Sequence, residues 1–393
     1  MKISLDNQHA FVIALIIFGL AFFLSALGSF AAKLFPIILC LFATFECRSK
    51  HKEILNKYSY LWIIITTIVT VSSIKTFFWS EIHFSFYQIF RSEIWVLFGL
   101  YFGLLCYNVS INTGRKSLNY VLDIVKYFFY FLFFTCLVEL IFDVPISPAY
   151  IRYFDSNLGF TRLYLLGSEI ILPFMLLFYT EKKWTLFSLS IFFIVLTGGK
   201  LAMLSIFAFI IYILLNPQYQ RNKYFKYFLF LSILVMSLYC LLIWDRILVL
   251  LNTGDSFRFA QISHYFNFIS QSPFDFFIGA GLGPEYMDIM DELNGKEFLP
   301  YPDLHYVWKK VEIGNNLNYD IENGFIFFLY RYGFIGFLLY FLTVLREFGK
   351  YSNYIGFILF LIWIVGPNVG PSGALAMIFF GMAAGFSNKH LKE

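Results

Sequence analysis

Apolar runs long enough to enter a lipid bilayer recur along this 393-residue chain from residue 10 to residue 386. A hydrocarbon core about 30 Å thick needs about 20 predominantly apolar residues per crossing helix. With 59% hydrophobic, 22% aromatic and only 14% charged residues, the chain is too poor in charge for an ordinary water-soluble domain, about a quarter of whose residues are charged. The apolar runs span nearly the whole length, which also excludes a soluble enzyme carrying one membrane anchor. In such a chain the placement of charge says more than the net value of +4, and nucleic acid is not expected as a partner. Cys40, Cys47, Cys106, Cys136 and Cys240 lie in apolar runs or at their edges without a CxxC pair, so neither a disulfide framework nor a zinc site follows. The opening MKISLDNQHAFVIAL has one early Lys and no small-residue cleavage site, which predicts a retained first span.

Segments bounded by charge clusters, Gly and Pro predict spans near 10–29, 31–46, 58–75, 93–111, 120–142, 164–180, 183–198, 200–215, 227–244, 322–345, 354–369 and 371–386. The fold class is therefore an all-α polytopic membrane protein of about 12 transmembrane helices. Two long runs are each interrupted by a single Lys, at Lys33 and Lys200. Splitting both runs brings Lys2, Arg48 to Lys57, Arg115 with Lys116, Lys182 with Lys183, Arg221 to Lys226, Arg346 with Lys350, and Lys389 with Lys392 to one side. These hold 16 of the 29 basic residues, the asymmetry of cytoplasmic loops. Both termini are then cytoplasmic. The chain divides into helices 1–9 over 1–244, a large periplasmic loop with amphipathic helices over 245–321, and helices 10–12 with the tail over 322–393. Extended to Glu322, that loop collects twelve of the 25 acidic residues against five basic ones. The spans flanking Gly198 to Lys200 are about 16 residues each, so their turn is predicted about 6 Å below the outer surface. Non-helical backbone at that depth must line a cavity or be buried in protein.

Several charges in these settings need a chemical reason. In DSFRFAQISHYFNFIS, Phe259, Ile262, Phe266 and Ile269 recur at helical spacing, with Asp255 as N-cap and Ser272 with Pro273 as the stop. Arg258 falls in the first turn, where it can join free backbone N–H groups in an anion site or pair locally with Asp255. Arg162 precedes span six and Glu169 lies in its first turns, while Arg152 stands ten residues before Arg162. A carboxylate in lipid needs a partner or a polar cavity, whereas either Arg can serve as an interfacial anchor. Lys200 occupies the recessed turn TGGKLA, with snorkelling to the interface as its plain alternative. Glu322 opens span ten, where the helix dipole alone favours an acid, and Arg331 lies nine residues deeper on the opposite face.

Other motifs carry no chemistry. GAGLG at 279–283 has no preceding strand to make it a dinucleotide loop. The six His residues are scattered, and no metal site or cofactor is expected. Tyr301, Tyr306, Trp308 and Tyr319 can stack on sugars or pack the loop's own core. The sequon at Asn108 sits at a cytoplasmic span end and is read as chance.

Taken in order, these residues resemble the Wzy family of O-antigen polymerases, which is related to the O-antigen ligases. The resemblance rests on an Arg-led entry into a span (Arg162 to Glu169) and a small-residue turn carrying a base (TGGKLA, with Lys200 where Arg is more usual). It continues through an outer loop with Arg258, the Ser272 and Pro273 break, and Gly279, Gly281 and Gly283. It ends at Glu322 and Asn323 ahead of a Gly-rich span with Gly333 and Gly336. The match covers about residues 150 to 345. Ligases carry His where this chain has Glu322, which favours polymerase over ligase. Arg331 stands where the family more often has an acid, and no role follows for it.

The resemblance implies a metal-independent glycosyltransferase in the bacterial inner membrane, with its active site facing the periplasm. Its substrates are undecaprenyl-pyrophosphate-linked oligosaccharides, and its other partners are membrane lipid and a chain-length regulator. Arg258, Arg162, Lys200 and Arg152 are the implied pyrophosphate ligands. Glu322 is the first and Glu169 the second candidate for the base that activates the acceptor hydroxyl. The rivals are an O-antigen ligase and a lipid-linked sugar flippase or other transporter. The latter typically has two related halves, and no repeat relates the two halves of this chain. Single cysteines at Asn294 and Gly199 in a cysteine-free background should react with a membrane-impermeant maleimide in intact spheroplasts. Protection at Asn294 until the membrane is broken would reverse the topology.

Overall fold

A computed structural model describes residues 48–79, 86–112, 115–142, 150–155, 160–165, 171–197, 230, 237, 265–267, 269–281, 324–348 and 371–390. The expected spans at 10–29, 31–46, 200–215 and 354–369 lie outside these residues, as does nearly all of 227–244. Within them the chain forms α1 (Arg48–Lys57), α2 (Ser59–Trp79), α3 (Phe86–Asn112), α4 (Arg115–Phe142), β1 (Tyr150–Asp155), β2 (Phe160–Leu165), α5 (Ile171–Thr180), α6 (Trp184–Thr197), α7 (Pro273–Ile278), α8 (Gly324–Phe348) and α9 (Pro371–His390). The architecture is thus almost entirely helical.

Two local features differ from the sequence expectation. The basic stretch read as the loop between spans two and three is helical as α1, and α2 follows it after Tyr58. The bonds Tyr58 N to Ile54 O and Trp62 N to Tyr58 O, both 3.0 Å, carry the helical register across the junction. Span six, expected over 164–180, begins later: residues 160–165 are an edge of an antiparallel hairpin and helix starts at Ile171. The hairpin pairs Arg152 with Leu163 and Tyr153 with Arg162, so the two arginines occupy register positions of opposite parity.

At 1.5 Å per residue, the 21, 27 and 28 residues of α2, α3 and α4 extend for about 31, 40 and 42 Å. Among the described residues no helix is long and apolar enough to cross a membrane. Large apolar side chains nonetheless point outward: Ile63, Phe78, Phe134, Ile141 and Phe142 are 66–70% exposed. Two buried polar side chains inside the helices bond back to their own backbone, Asn108 Nδ2 to Leu104 O and Ser190 Oγ to Leu186 O, each at 2.8 Å. Such back-bonding satisfies a polar group that has no water to turn to.

Small residues bring α3 and α9 together most closely. A Cβ on Gly381 would collide with the Gly103 carbonyl oxygen, and one on Gly385 would lie 2.6 Å from Tyr107 O. The pair Gly381 and Gly385 is a GxxxG stripe, which lets helix backbones approach and gain dispersion contacts. Because Gly103 faces Met377 and Gly381 while Tyr107 and Ser110 face Gly385, the two helices run parallel. Beside them, Phe129 of α4 meets Phe174 and Phe178 of α5 and Phe193 of α6 edge to face, at 6.2, 5.3 and 5.9 Å between centroids. This geometry opposes positive ring edges to negative faces, and Phe174 carries the array on to Phe379 of α9 at 4.8 Å. α5 ends in a Schellman turn, with Lys183 N bonded to Phe178 O, Lys182 N to Tyr179 O and Lys182 at φ 55°. That turn reverses the chain into α6.

Gly381→Val is expected to destabilise the helix pair by about 1–3 kcal/mol through overpacking, lowering the melting temperature in detergent. Phe134→Ala, on an outward face, should change stability by less than about 0.5 kcal/mol. Equal melting temperatures for the two variants would show that α3 and α9 do not pack through this stripe.

Candidate functional site

The described part of the 245–321 segment is bound to α8 at a break in that helix. α8 runs from Gly324 to Phe348, but Gly333 has φ 64° and ψ −177°. Opposite it, Gly279 at the end of α7 has φ 82° and ψ 154°. Both values fall in a region that only glycine enters without strain of about 1–3 kcal/mol. The two glycines also abut: a Cβ on Gly333 would strike Gly279 N and Phe277 O, and one on Gly279 would strike Arg331 O. The break interrupts the helical bonding, and Ala280 N–H donates to Tyr330 O at 2.7 Å. A backbone acceptor of the broken helix is thereby satisfied from outside it.

The preceding loop helix docks through Tyr265, which is 1% exposed and meets Tyr330 edge to face at 4.8 Å. Burial pushes the Tyr265 phenol up to about 12, so it stays neutral near neutral pH and is no base. The amphipathic phase read from sequence is off by one residue here: Phe266, expected on the buried stripe, is 58% exposed. Ser272 and Pro273 do separate two helices as expected. Pro273 opens α7, where its missing N–H costs no helical bond, and the Ser272 hydroxyl donates to Asp275 Oδ2 at 2.6 Å. Phe276 stacks on Phe334 with 5.4 Å between centroids and 13° between planes.

A third helix joins this junction through charge. Lys75 near the end of α2 forms an ion pair with Asp275, donates to Gly279 O at 3.0 Å, and lies 5.5 Å from the Phe274 ring centroid. Its side chain is 17% exposed and that of Asp275 is 18% exposed. Neither residue emerged from the sequence as a site candidate. The available signal was a Lys inside the apolar run of α2 together with the lone acid in SPFDFF, two charges in settings that call for partners.

Of the six candidates from sequence, Arg258, Glu322, Glu169 and Lys200 lie outside the described residues. Arg162 is in β2 and Arg152 in β1. β2 lies against α4 and α6, and α6 ends at Thr197, immediately before the sequence Gly198 to Lys200. The strand of Arg162 is therefore gathered with the helix leading toward Lys200. On the other side, the segment that follows Arg258 is docked on the helix that Glu322 precedes by two residues. Arg331, whose place was unexplained, is 2% exposed and stands two residues before the break at Gly333. Among the described residues no group of three or more His, Cys, Asp or Glu gathers to hold a metal ion.

The described residues define a helical protein in which a loop of short helices is clamped to a broken helix. Residues 185–341, which contain both the loop and the break, match the Wzy_C family model, described as O-antigen ligase. That stretch is a Wzy_C domain, and it indicates O-antigen ligase or polymerase-type handling of lipopolysaccharide-related glycan. No curated protein and no solved structure matches the chain.

Gly333→Ala should release the loop from α8, because the new methyl group has neither the backbone angles nor the space it needs. Faster amide hydrogen exchange across 272–281 is the expected result. Unchanged exchange in that segment would show that the glycine contact does not hold the loop.

Proposed function

We propose that this protein polymerises undecaprenyl-pyrophosphate-linked O-antigen repeat units at the periplasmic face of the inner membrane. The observation that carries this reading is the docking of the 265–281 segment on the break in α8, within the Wzy_C domain. It ties the loop downstream of Arg258 to the helix downstream of Glu322, the two ends of the chain expected to bear opposite charge at the reacting centre. Glu322, rather than His, at the head of α8 favours polymerase. The parallel run of α3 and α9 supports the membrane layout, because both are even-numbered spans in the twelve-span order.

In the proposed reaction the Glu322 carboxylate takes the proton of the hydroxyl on the terminal sugar of the acceptor repeat unit. That oxygen bonds to the anomeric carbon of the growing glycan as the bond from that carbon to the pyrophosphate oxygen breaks. Undecaprenyl pyrophosphate leaves with the electron pair. Arg258, Arg162 and Lys200 hold its charge, with Arg152 as a further ligand, because guanidinium forks match phosphate oxygens and stabilise charge as it develops. Glu169 is the alternative base. The opposite parity of Arg152 and Arg162 in the hairpin means that neither is expected to replace the other.

The description of the family model favours a second reading, ligation of finished glycan to lipid A core. A deletion strain separates the two. Loss of the polymerase should leave lipopolysaccharide with a single repeat unit and no ladder, whereas loss of a ligase leaves bare core and polymer on the carrier. In complementation, Arg258→Ala and Glu322→Ala should each remove most of the ladder at normal protein level, while Lys116→Ala keeps it. A bare core in the deletion strain overturns the polymerase reading, and a full ladder with Glu322→Ala passes the role of base to Glu169.

A further inference from the structure

We propose that Lys75 is a positioning residue for glycosyl transfer: by holding Asp275 and the Gly279 carbonyl it fixes the 272–281 segment on the broken part of α8. The inference rests on the transferase reading above, and it concerns a helix outside the matched Wzy_C stretch of 185–341. Three kinds of contact converge on six residues. Asp275 is held by the Lys75 ammonium and by the Ser272 hydroxyl. Gly279 offers its carbonyl to Lys75, while its N–H closes α7 on Asp275 O at 2.8 Å. Ala280 then bonds to Tyr330. The segment is thus gripped from α2 on one side and from α8 on the other.

The glycine contact and the Ala280 to Tyr330 bond fix the C-terminal end of the segment at the break, but apolar packing alone does not choose how α7 is placed before it. Dispersion is non-directional and shallow. A charge pair with low exposure is selective, because sliding the loop separates the ammonium from the carboxylate and leaves both poorly solvated. Lys75 therefore sets register more than it adds stability. A role as a pyrophosphate ligand fits less well. The Asp275 carboxylate already neutralises the ammonium and would repel a phosphate, and two of the three ammonium donors are engaged.

The test uses the full chain in nanodiscs with undecaprenyl-pyrophosphate-linked repeat units as substrate. Lys75→Met and Asp275→Asn should each lower kcat by about a hundredfold, the scale of a misplaced reacting group, with acceptor KM within about twofold of wild type. The exchanged pair, Lys75→Asp with Asp275→Lys, should regain about a tenth or more of wild-type kcat, because it restores attraction with the partners reversed. If the single variants fail to accumulate, accumulation and activity of the exchanged pair carry the same meaning. Wild-type turnover in Lys75→Met would overturn the proposal. So would an exchanged pair that accumulates but stays as inactive as the single variants while Lys75→Arg is active with raised donor KM, since that pattern assigns Lys75 to the leaving group. A wild-type protein that transfers glycan only to lipid A core would refute the polymerase reading alone, and the same variants measured in that reaction would still decide the role of Lys75.

Discussion

The arrangement depends on a helix that stops being a helix at Gly333. An α-helix completes its own backbone hydrogen bonds, which makes it suited to an apolar surrounding and also closes it to other segments. At Gly333 the torsions leave that pattern, and the freed Tyr330 carbonyl accepts from Ala280. A straight α8 would offer the loop neither that acceptor nor room for Gly279. The break therefore converts an apolar helix into a receptor for the 265–281 segment, and it does so beside the buried Arg331.

Around the break, packing follows from what a chain so rich in aromatics and so poor in charge can use. Where helices must meet closely, glycine removes side chains altogether, as between α3 and α9. Where they stand farther apart, phenylalanine fills the gap edge to face, as around Phe129. Charge is used sparingly, and the ion pair of Lys75 with Asp275 spans 200 residues of sequence. Such a pair does little for stability at partial exposure, but it discriminates strongly between one register and another.

Much of this was legible from residue order. The apolar segments near 58–75, 93–111, 120–142, 183–198, 322–345 and 371–386 are helical as α2, α3, α4, α6, α8 and α9, because apolar runs bounded by charge are a strong local signal. The Ser272 and Pro273 break and the glycine cluster also carried real conformational content. The hairpin at 150–165 falls partly in a loop and partly in span six of the sequence reading, although YIRYFD and FTRLYL are rich in aromatic and β-branched residues and flank an Asn and a Gly that can turn the chain. Spacings of three and four with Phe259, Ile262 and Ile269 place Phe266 on the expected buried stripe. Tyr265 is buried instead, since Tyr330 supplies its partner from 65 residues away.

By itself the sequence determined a helical architecture and the order of its candidate charges. Both are written in composition, period and spacing, which act along the chain. Tertiary structure alone decided that Gly279 meets Gly333, that Tyr330 accepts from Ala280 and that Lys75 reaches Asp275. These contacts join residues whose spacing in sequence carries no signal of proximity, and they exist only because a broken helix leaves backbone groups that another segment must satisfy.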